Sequence, residues 1–328
     1  MTIRVLMTGE HAWPLSRVSA GLTPKTLPSA SAQRIHDWLA KALGELGCEV
    51  FYFLPNRVRS DAPRGVTFVD ELIDDVDILH TYALRGPRHD LAWMERERPF
   101  VATCHVDPRT RGVEDVPENW IFPSKAVAVN GRYVINGIDP SEYIYSEAEG
   151  RYVLFLAPVD RASEKGLDVA IRAASATGVP LVVAGSARTM EAIAATARLC
   201  AASGAEYVGD VQGEEKARLL AGARALLLPS RLNEAGPLAI AEALMSGTPV
   251  IASDRGACPE MVSADVGFIC RGDDDYADAI RRLGAVSRRR CREYALERFH
   301  YLRMAADYLR EYERELSFTN LCVRPSLH

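Results

Sequence analysis

Apolar positions along the chain come in short unbroken runs separated by stretches of helical period. Ile3–Met7 is the first run, and it ends at Gly9 and a long polar loop. From Ala32 to Leu46, Ile35, Trp38, Leu39, Ala42, Leu43 and Leu46 recur on one helical face, and Gly47 closes the helix. Glu49–Leu54, Val76–His80 and Phe100–Cys104 read as further buried strands. Strands that are apolar on both faces and alternate with helices imply a parallel sheet covered on both sides.

The second half repeats the alternation. Strands are predicted at Tyr152–Ala157, Pro180–Ala184, Glu206–Val208, Ala225–Leu228 and Pro249–Ala252. Helices are predicted at Gly166–Ala176, Met190–Ser203, Glu214–Ala221 and Leu238–Ser246. Residues 292–315 read as one long amphipathic helix, and 317–328 as a disordered tail. Between the halves lies Asn136-Gly137-Ile138-Asp139-Pro140, a turn-forming run suited to a linker. The expected fold is therefore α/β, with two Rossmann-like doubly wound domains, residues 1–140 and 141–300, facing a central cleft. Ligands of such sheets bind beyond the carboxyl ends of the strands, which directs attention to those loops.

Length and composition agree with two globular domains: 328 residues, 48% hydrophobic and 25% charged. A formal charge of −5 argues against a nucleic-acid partner, and the basic cluster Arg85, Arg88 and His89 reads as solvated surface. The seven cysteines are scattered, odd in number and free of any CxxC pair, which points to reduced thiols and not to a zinc site. The apolar run at the amino end is too short for a signal peptide, and no run approaches the ~20 apolar residues of a membrane span. A cytoplasmic protein is expected, with no transmembrane segment; peripheral membrane contact stays open.

The densest chemical signal runs from Leu228 to Glu242, where a strand leaves through a turn into a helix. Gly236 permits close backbone approach, and Pro237 suits a helical first turn. The amides of Leu238, Ala239 and Ile240 are then expected to face an anion, with the helix dipole in support. Glu234 precedes the helix and Glu242 lies about a turn inside it, so one carboxylate can reach each end of a sugar nucleotide. On spacing alone such a pair is more often a surface carboxylate plus a dipole-compensating one. The surroundings shift that balance.

The segment resembles the E-x7-E motif of family 4 glycosyltransferases, and the likeness continues through Asp254-Arg-Gly-Ala-Cys-Pro-Glu260 and Gly267-Phe-Ile. Asn136–Asp139 is similar to that family's linker, and Glu297-Arg-Phe…Tyr308…Tyr312 to its closing helix, so 301–316 is expected to join the first domain. The resemblance implies the GT-B fold, a nucleotide diphosphate sugar as donor substrate, retention of anomeric configuration, an acceptor hydroxyl that no motif names, and neither cofactor nor metal. It also implies roles: Glu234 on the transferred sugar, Glu242 on the ribose, Lys165 on the diphosphate, and His105, in Ala-Thr-Cys-His, beside the reacting sugar. His80, at the end of the neighbouring strand, ranks second.

Two departures stand out. The family's phosphate-clamping arginine is replaced by Asp160, leaving Arg161, one place on, as the candidate cation. Asp160 is expected to point away, toward solvent or a basic neighbour such as Arg161. The family's Gly-Gly-x-Glu loop is replaced by Ser29-Ala30-Ser31-Ala32-Gln33, so Ala30 and Ser31 become donor contacts and Gln33 stands for the glutamate. Asp273-Asp274-Asp275 reads as a helix cap and not as a metal motif. No G-x-G-x-x-G follows the first strand, which leaves a nicotinamide dehydrogenase without support. Other readings are a non-catalytic binder of nucleotide sugars and, with a weaker fit, a GT-B sugar-nucleotide epimerase.

Overall fold

The computed structural model describes residues 2–8, 30–54, 62–83 and 98–322, with side chains from Ala32 and as far as 317 in the flanking helices. The basic cluster at Arg85, Arg88 and His89 lies outside the described residues. Contacts divide the described residues into two compact units: one holds those up to Gly137 together with those from Tyr301 onward, the other Ile138–His300. The boundary falls inside the turn-forming run that the sequence marks as a linker.

The first unit is built on β1 (Arg4–Thr8), α1 (Ala30–Glu45), β2 (Glu49–Phe53), β3 (Val66–Val69), β4 (Ile78–Tyr82), β5 (Phe100–Thr103) and β6 (Trp120–Ile121). Its strands pair in parallel in the order β3-β2-β1-β4-β5-β6. Ile35, Trp38, Leu39, Ala42 and Leu43 bury one face of α1, while Leu46, assigned to that face, lies beyond the helix and is 44% exposed.

The second unit comprises β7 (Tyr152–Leu156), α2 (Leu167–Thr177), β8 (Leu181–Ala184), α3 (Met190–Ser203), β9 (Glu206–Gly209), α4 (Gly213–Gly222), β10 (Ala223–Leu228), α5 (Leu238–Met245), β11 (Val250–Ser253), α6 (Cys258–Met261), β12 (Gly267–Cys270), α7 (Asp275–Arg281) and α8 (Arg288–Arg298). Its sheet, β12-β11-β10-β7-β8-β9, is also wholly parallel and has the same strand order as the first when each is counted from its own first strand. Both are doubly wound sheets, with the order reversing between β1 and β4 in one and between β7 and β10 in the other. Thr189 caps α3 by accepting from the Ala192 amide at 3.2 Å, and Gly204 closes it in the left-handed region. Val153, Phe155, Ala225, Leu227 and Ile251 form the core under α2 and α7.

The long helix expected over 292–315 is two helices. α8 ends at Arg298, and α9 (Tyr301–Cys322) starts after a break at Phe299 and His300. Each half has its own task. Arg288 of α8 donates to the carbonyls of Ser146, Ala221 and Ala223 at 2.7–2.8 Å, binding that helix into the second unit. α9 belongs to the first unit and remains helical through Cys322, so the expected tail is helix over 317–322. On α9, Tyr301 donates to Glu45 at 2.7 Å, and Arg132 bridges Glu311 and Glu315. Among the described residues no helix is long and apolar enough to cross a membrane.

Candidate functional site

The second unit gathers its charged groups where the strand order reverses. The loop after β7 carries Lys165 and the loop after β10 carries Glu234, and the two loops are seamed together. Gly166 sits at φ 80°, and a Cβ there would stand 2.1 Å from the Pro229 carbonyl oxygen, so only glycine allows the approach. The Arg231 amide donates to the Glu164 carbonyl at 2.8 Å, and its guanidinium grips Asp168 with two bonds of 2.7 and 2.8 Å. That bidentate grip holds the Asp168 carboxyl well below the usual carboxylate range. The seam brings the Lys165 ammonium to 2.7 Å from Glu234 Oε1.

A third loop fixes Glu234 from behind. Gly256, at φ 56°, lies so close that a Cβ would stand 2.3 Å from the Glu234 carbonyl oxygen and 2.4 Å from its nitrogen. The next amide, of Ala257, donates to that same carbonyl at 2.7 Å. Nearby, burial and then the Glu234 charge push the Cys258 thiol up to about 12.

Pro237, extended at φ −68° and ψ 108°, stands as the N-cap of α5 behind Gly236, and Leu238 opens the helix. The Ile240 amide is already used, donating to Pro237 O at 3.1 Å, which removes it from the expected anion-binding set and leaves Leu238 and Ala239 as its candidates. Glu242 is buried further along α5. Lys216 of α4 reaches its Oε1 and Oε2 at 2.7 and 2.6 Å, and the Tyr143 hydroxyl donates to Oε1 at 2.8 Å. Neither partner was marked by the sequence reading. Each carboxylate of the pair thus has its own lysine.

Arg161, in a 3-10 turn at Val159–Arg161, does not turn toward Lys165. Its Nε donates to Glu164 at 2.5 Å, and its side chain is half exposed. The Glu164 bond, then the charges of Glu164, Glu234 and Asp160, hold its pKa above the ordinary value. Asp160 does face a basic neighbour, but Arg188, at 3.8 Å, and not Arg161. The Asp273–Asp275 run does not cap α7 as expected: Asp274, at the N-cap, makes no side-chain cap bond, Asp275 accepts from the preceding Arg271 and Gly272 amides at 2.9 and 3.0 Å, and Asp273 pairs with Arg172 at 2.5 Å.

In the first unit, Ala30 and Ser31 form the start of α1 and are not part of a preceding loop; Gln33, in its first turn, is buried. His105 follows β5. Its ring lies 5.8 Å from that of His36 and 5.9 Å from that of Tyr82, and His36 stacks on Tyr82 at 3.7 Å. His36 was not singled out by the sequence, where it falls among the core positions of an amphipathic helix. His80 is fully buried: Nδ1 lies 2.6 Å from the Tyr312 hydroxyl and Nε2 2.7 Å from Thr103 Oγ1, which in turn meets the Tyr308 hydroxyl at 2.8 Å. Burial, then the nearby His105, lower its pKa to about 3. His80 is thus a link between β4, β5 and α9, with both ring nitrogens engaged inside the unit.

Two doubly wound parallel sheets of the same strand order, one of them holding paired carboxylates at its switch point, define a protein of the GT-B fold. Residues 150–285 match the family described as glycosyl transferases group 1. A curated relative, the MMP alpha-(1->4)-mannosyltransferase of Mycolicibacterium hassiacum, is 36% identical over 123 residues, which cover 33% of this chain and 29% of that protein. The match therefore spans under a third of that relative's length. Among solved structures, AviGT4, a glycosyltransferase involved in avilamycin A biosynthesis, is 26% identical, with 96% of this chain and 98% of that chain covered and a TM-score of 0.76. Anabaena HepE in complex with UDP and glucose shares the fold at 14% identity and a TM-score of 0.67, over 95% of this chain and all of that one. Residues 150–285 match that glycosyl transferase family by sequence, and the fold of both units is that of the glycosyltransferases above.

Proposed function

We propose that the protein is a retaining glycosyltransferase that moves a sugar from a nucleotide diphosphate sugar to an acceptor hydroxyl. The observation that carries this reading is the arrangement at the switch point of the second sheet, where Glu234 and Glu242 are each held by a lysine. The names of the relatives support it: one is a mannosyltransferase, and one is solved with UDP and glucose. Glu234 accepts hydrogen bonds from the transferred sugar, and Glu242 from the ribose. Lys165 supplies the positive charge for the departing diphosphate, aided by the amides of Leu238 and Ala239 beyond Gly236 and Pro237. His105 is assigned a hydrogen bond to the transferred sugar on the resemblance alone, and Gln33, Ala30 and Ser31 lesser donor contacts.

The proposed transfer is front-face. The leaving diphosphate helps to deprotonate the incoming hydroxyl on the side from which it departs, so catalysis consists of orientation and charge stabilisation. Lysine cations take the charge that a metal carries in other systems, and the reaction is proposed to need no metal and no cofactor. A cytoplasmic setting suits the six buried free thiols among the described residues. The test incubates the protein with UDP-, GDP- and ADP-sugars and follows nucleoside diphosphate release, with proton NMR of the sugar for its anomeric configuration. Release with retention supports the reading; inversion removes the mechanism, and no release from any donor removes the activity.

A second reading, a binder of nucleotide sugars without turnover, is favoured by one feature: Arg161 faces Glu164 in place of a phosphate position. Thermal stabilisation by a nucleotide sugar without nucleotide release would select it.

A further inference from the structure

Glu242 is 2% exposed, and the fold has surrounded it with donors. The Lys216 ammonium sits 2.7 Å from Oε1 and 2.6 Å from Oε2, and the Tyr143 hydroxyl adds a bond of 2.8 Å to Oε1. The donors come from separate parts of the unit. Lys216 lies 26 residues before Glu242, on α4; Tyr143 lies 99 residues before it, at the end of the short turn that Asp139 caps. An ammonium shared by both oxygens places a point charge between them, and the Tyr143 hydroxyl adds a directed bond to one.

A pair that served only to staple α4 to α5 could lie at the surface, where such pairs contribute little. Burial makes the arrangement expensive, and a buried ion pair seldom adds stability over apolar packing. The expense is explained if the carboxylate has a ligand to read. A vicinal diol needs two acceptor oxygens side by side, and a protonated carboxyl turns one of them into a donor.

We propose that Lys216 and Tyr143 are positioning residues for nucleotide recognition: they hold Glu242 ionised and in one orientation, so that it accepts hydrogen bonds from the ribose diol of a nucleoside diphosphate. This rests on the reading of Glu242 given under Proposed function. Lys216 acts through Glu242, and the hydroxyl of Tyr143, not its ring, is the part that matters.

The test is calorimetric titration of the whole chain with UDP, GDP and ADP, followed by the 2′-deoxy counterpart of the nucleotide that binds. The wild type is expected to prefer the ribonucleotide by about tenfold. Lys216→Met is expected to weaken ribonucleotide binding about tenfold and to bring the ribo-to-deoxy ratio close to one. Tyr143→Phe keeps the ring and is expected to lower the ratio about threefold. Thermal melts establish that each variant folds, and if the methionine variant does not, the Tyr143→Phe ratio decides. Unchanged ratios in folded Lys216→Met and in Tyr143→Phe overturn the proposal and leave a structural staple. A wild type that binds a nucleotide without preferring its ribose form also overturns it, with the proposed activity intact. A wild type that binds none of the three nucleotides removes the proposed function and this inference together.

Discussion

The Lys165 ammonium lies 2.7 Å from Glu234 Oε1, so a cation suited to a diphosphate and a carboxylate suited to a sugar neutralise each other in the resting protein. Both side chains are mostly shielded, at 15% and 10% exposure, which makes the contact stronger than a surface pair. On the proposed reading, a donor draws Lys165 toward its phosphates and frees Glu234 for the sugar, which would couple phosphate and sugar recognition through one contact. Glu234→Gln is expected to bind free nucleoside diphosphate about threefold more tightly, because Lys165 loses its competitor, while turnover drops about tenfold to a hundredfold. Weaker nucleotide binding in that variant, measured by titration, would contradict the coupling.

Lys165→Ala is expected to cost more turnover than Arg161→Ala. Arg161 is half exposed and paired with Glu164, an arrangement worth no more than about 1 kcal/mol. Steady-state rates with saturating acceptor decide the order of the two variants. Asp160→Arg offers a sharper comparison, since the position now faces Arg188 at 3.8 Å. A gain in nucleotide affinity there means that the family's loop geometry persists; no change means that Lys165 works without a second clamp.

Gly256→Ala should lower both stability and turnover. The substitution places a Cβ 2.3 Å from the Glu234 carbonyl and asks an L residue to hold φ 56°. A loss of about 1–3 kcal/mol is expected in chemical denaturation of the second unit, from strain and overpacking.

His80 gives the first unit an acid sensitivity. Its folded pKa is about 3, below the ordinary 6.5, so between these values the unfolded chain binds the proton and the folded one does not. Stability therefore rises with pH across that window and is lost as pH falls from about 6 toward 4, by up to about 1.4 kcal/mol per unit. His80→Gln is expected to flatten that slope, at some cost in stability near neutrality from the lost bonds to Tyr312 and Thr103. Denaturation midpoints at pH 7 and pH 5 for both proteins measure the difference. Equal slopes would show that His80 is not the titrating group.

Turnover is expected to survive exhaustive chelation, given that lysines stand at the proposed phosphate and ribose positions. A complete loss restored by magnesium or manganese would overturn the metal-free reading.

How much of this could be read in advance depends on where each signal resides. β1, β2, β7, β8, β10 and β11 are buried interior or near-interior strands, and their apolar runs announce them. β3 and β6 stand at sheet edges; Val66-Thr-Phe-Val is only partly buried and Trp120–Ile121 is too short to show a pattern. The break at Phe299 and His300 is hidden because apolar residues continue across it, and in the sequence only the likeness to a closing helix separates 301–316 from the residues before it. Glu234 and Glu242 stand out in the sequence through the motif they resemble. The partners of Glu242, Lys216 and Tyr143, do not, since those contacts are tertiary. Arg161 misled for a related reason: its position predicts a phosphate ligand, but Glu164, three residues away, is the nearer partner.

Because α9 completes the first unit, that unit is begun first and finished last. During synthesis, residues 138–300 emerge as one continuous stretch and can close their sheet while the earlier sheet still waits for its final helix. Until Tyr308 and Tyr312 leave the ribosome, Thr103 and His80 face an open flank where two phenolic hydroxyls will later sit. A chain halted before residue 301 would thus carry residues 138–300 complete while the first unit still lacked α9, a natural substrate for chaperones and proteases.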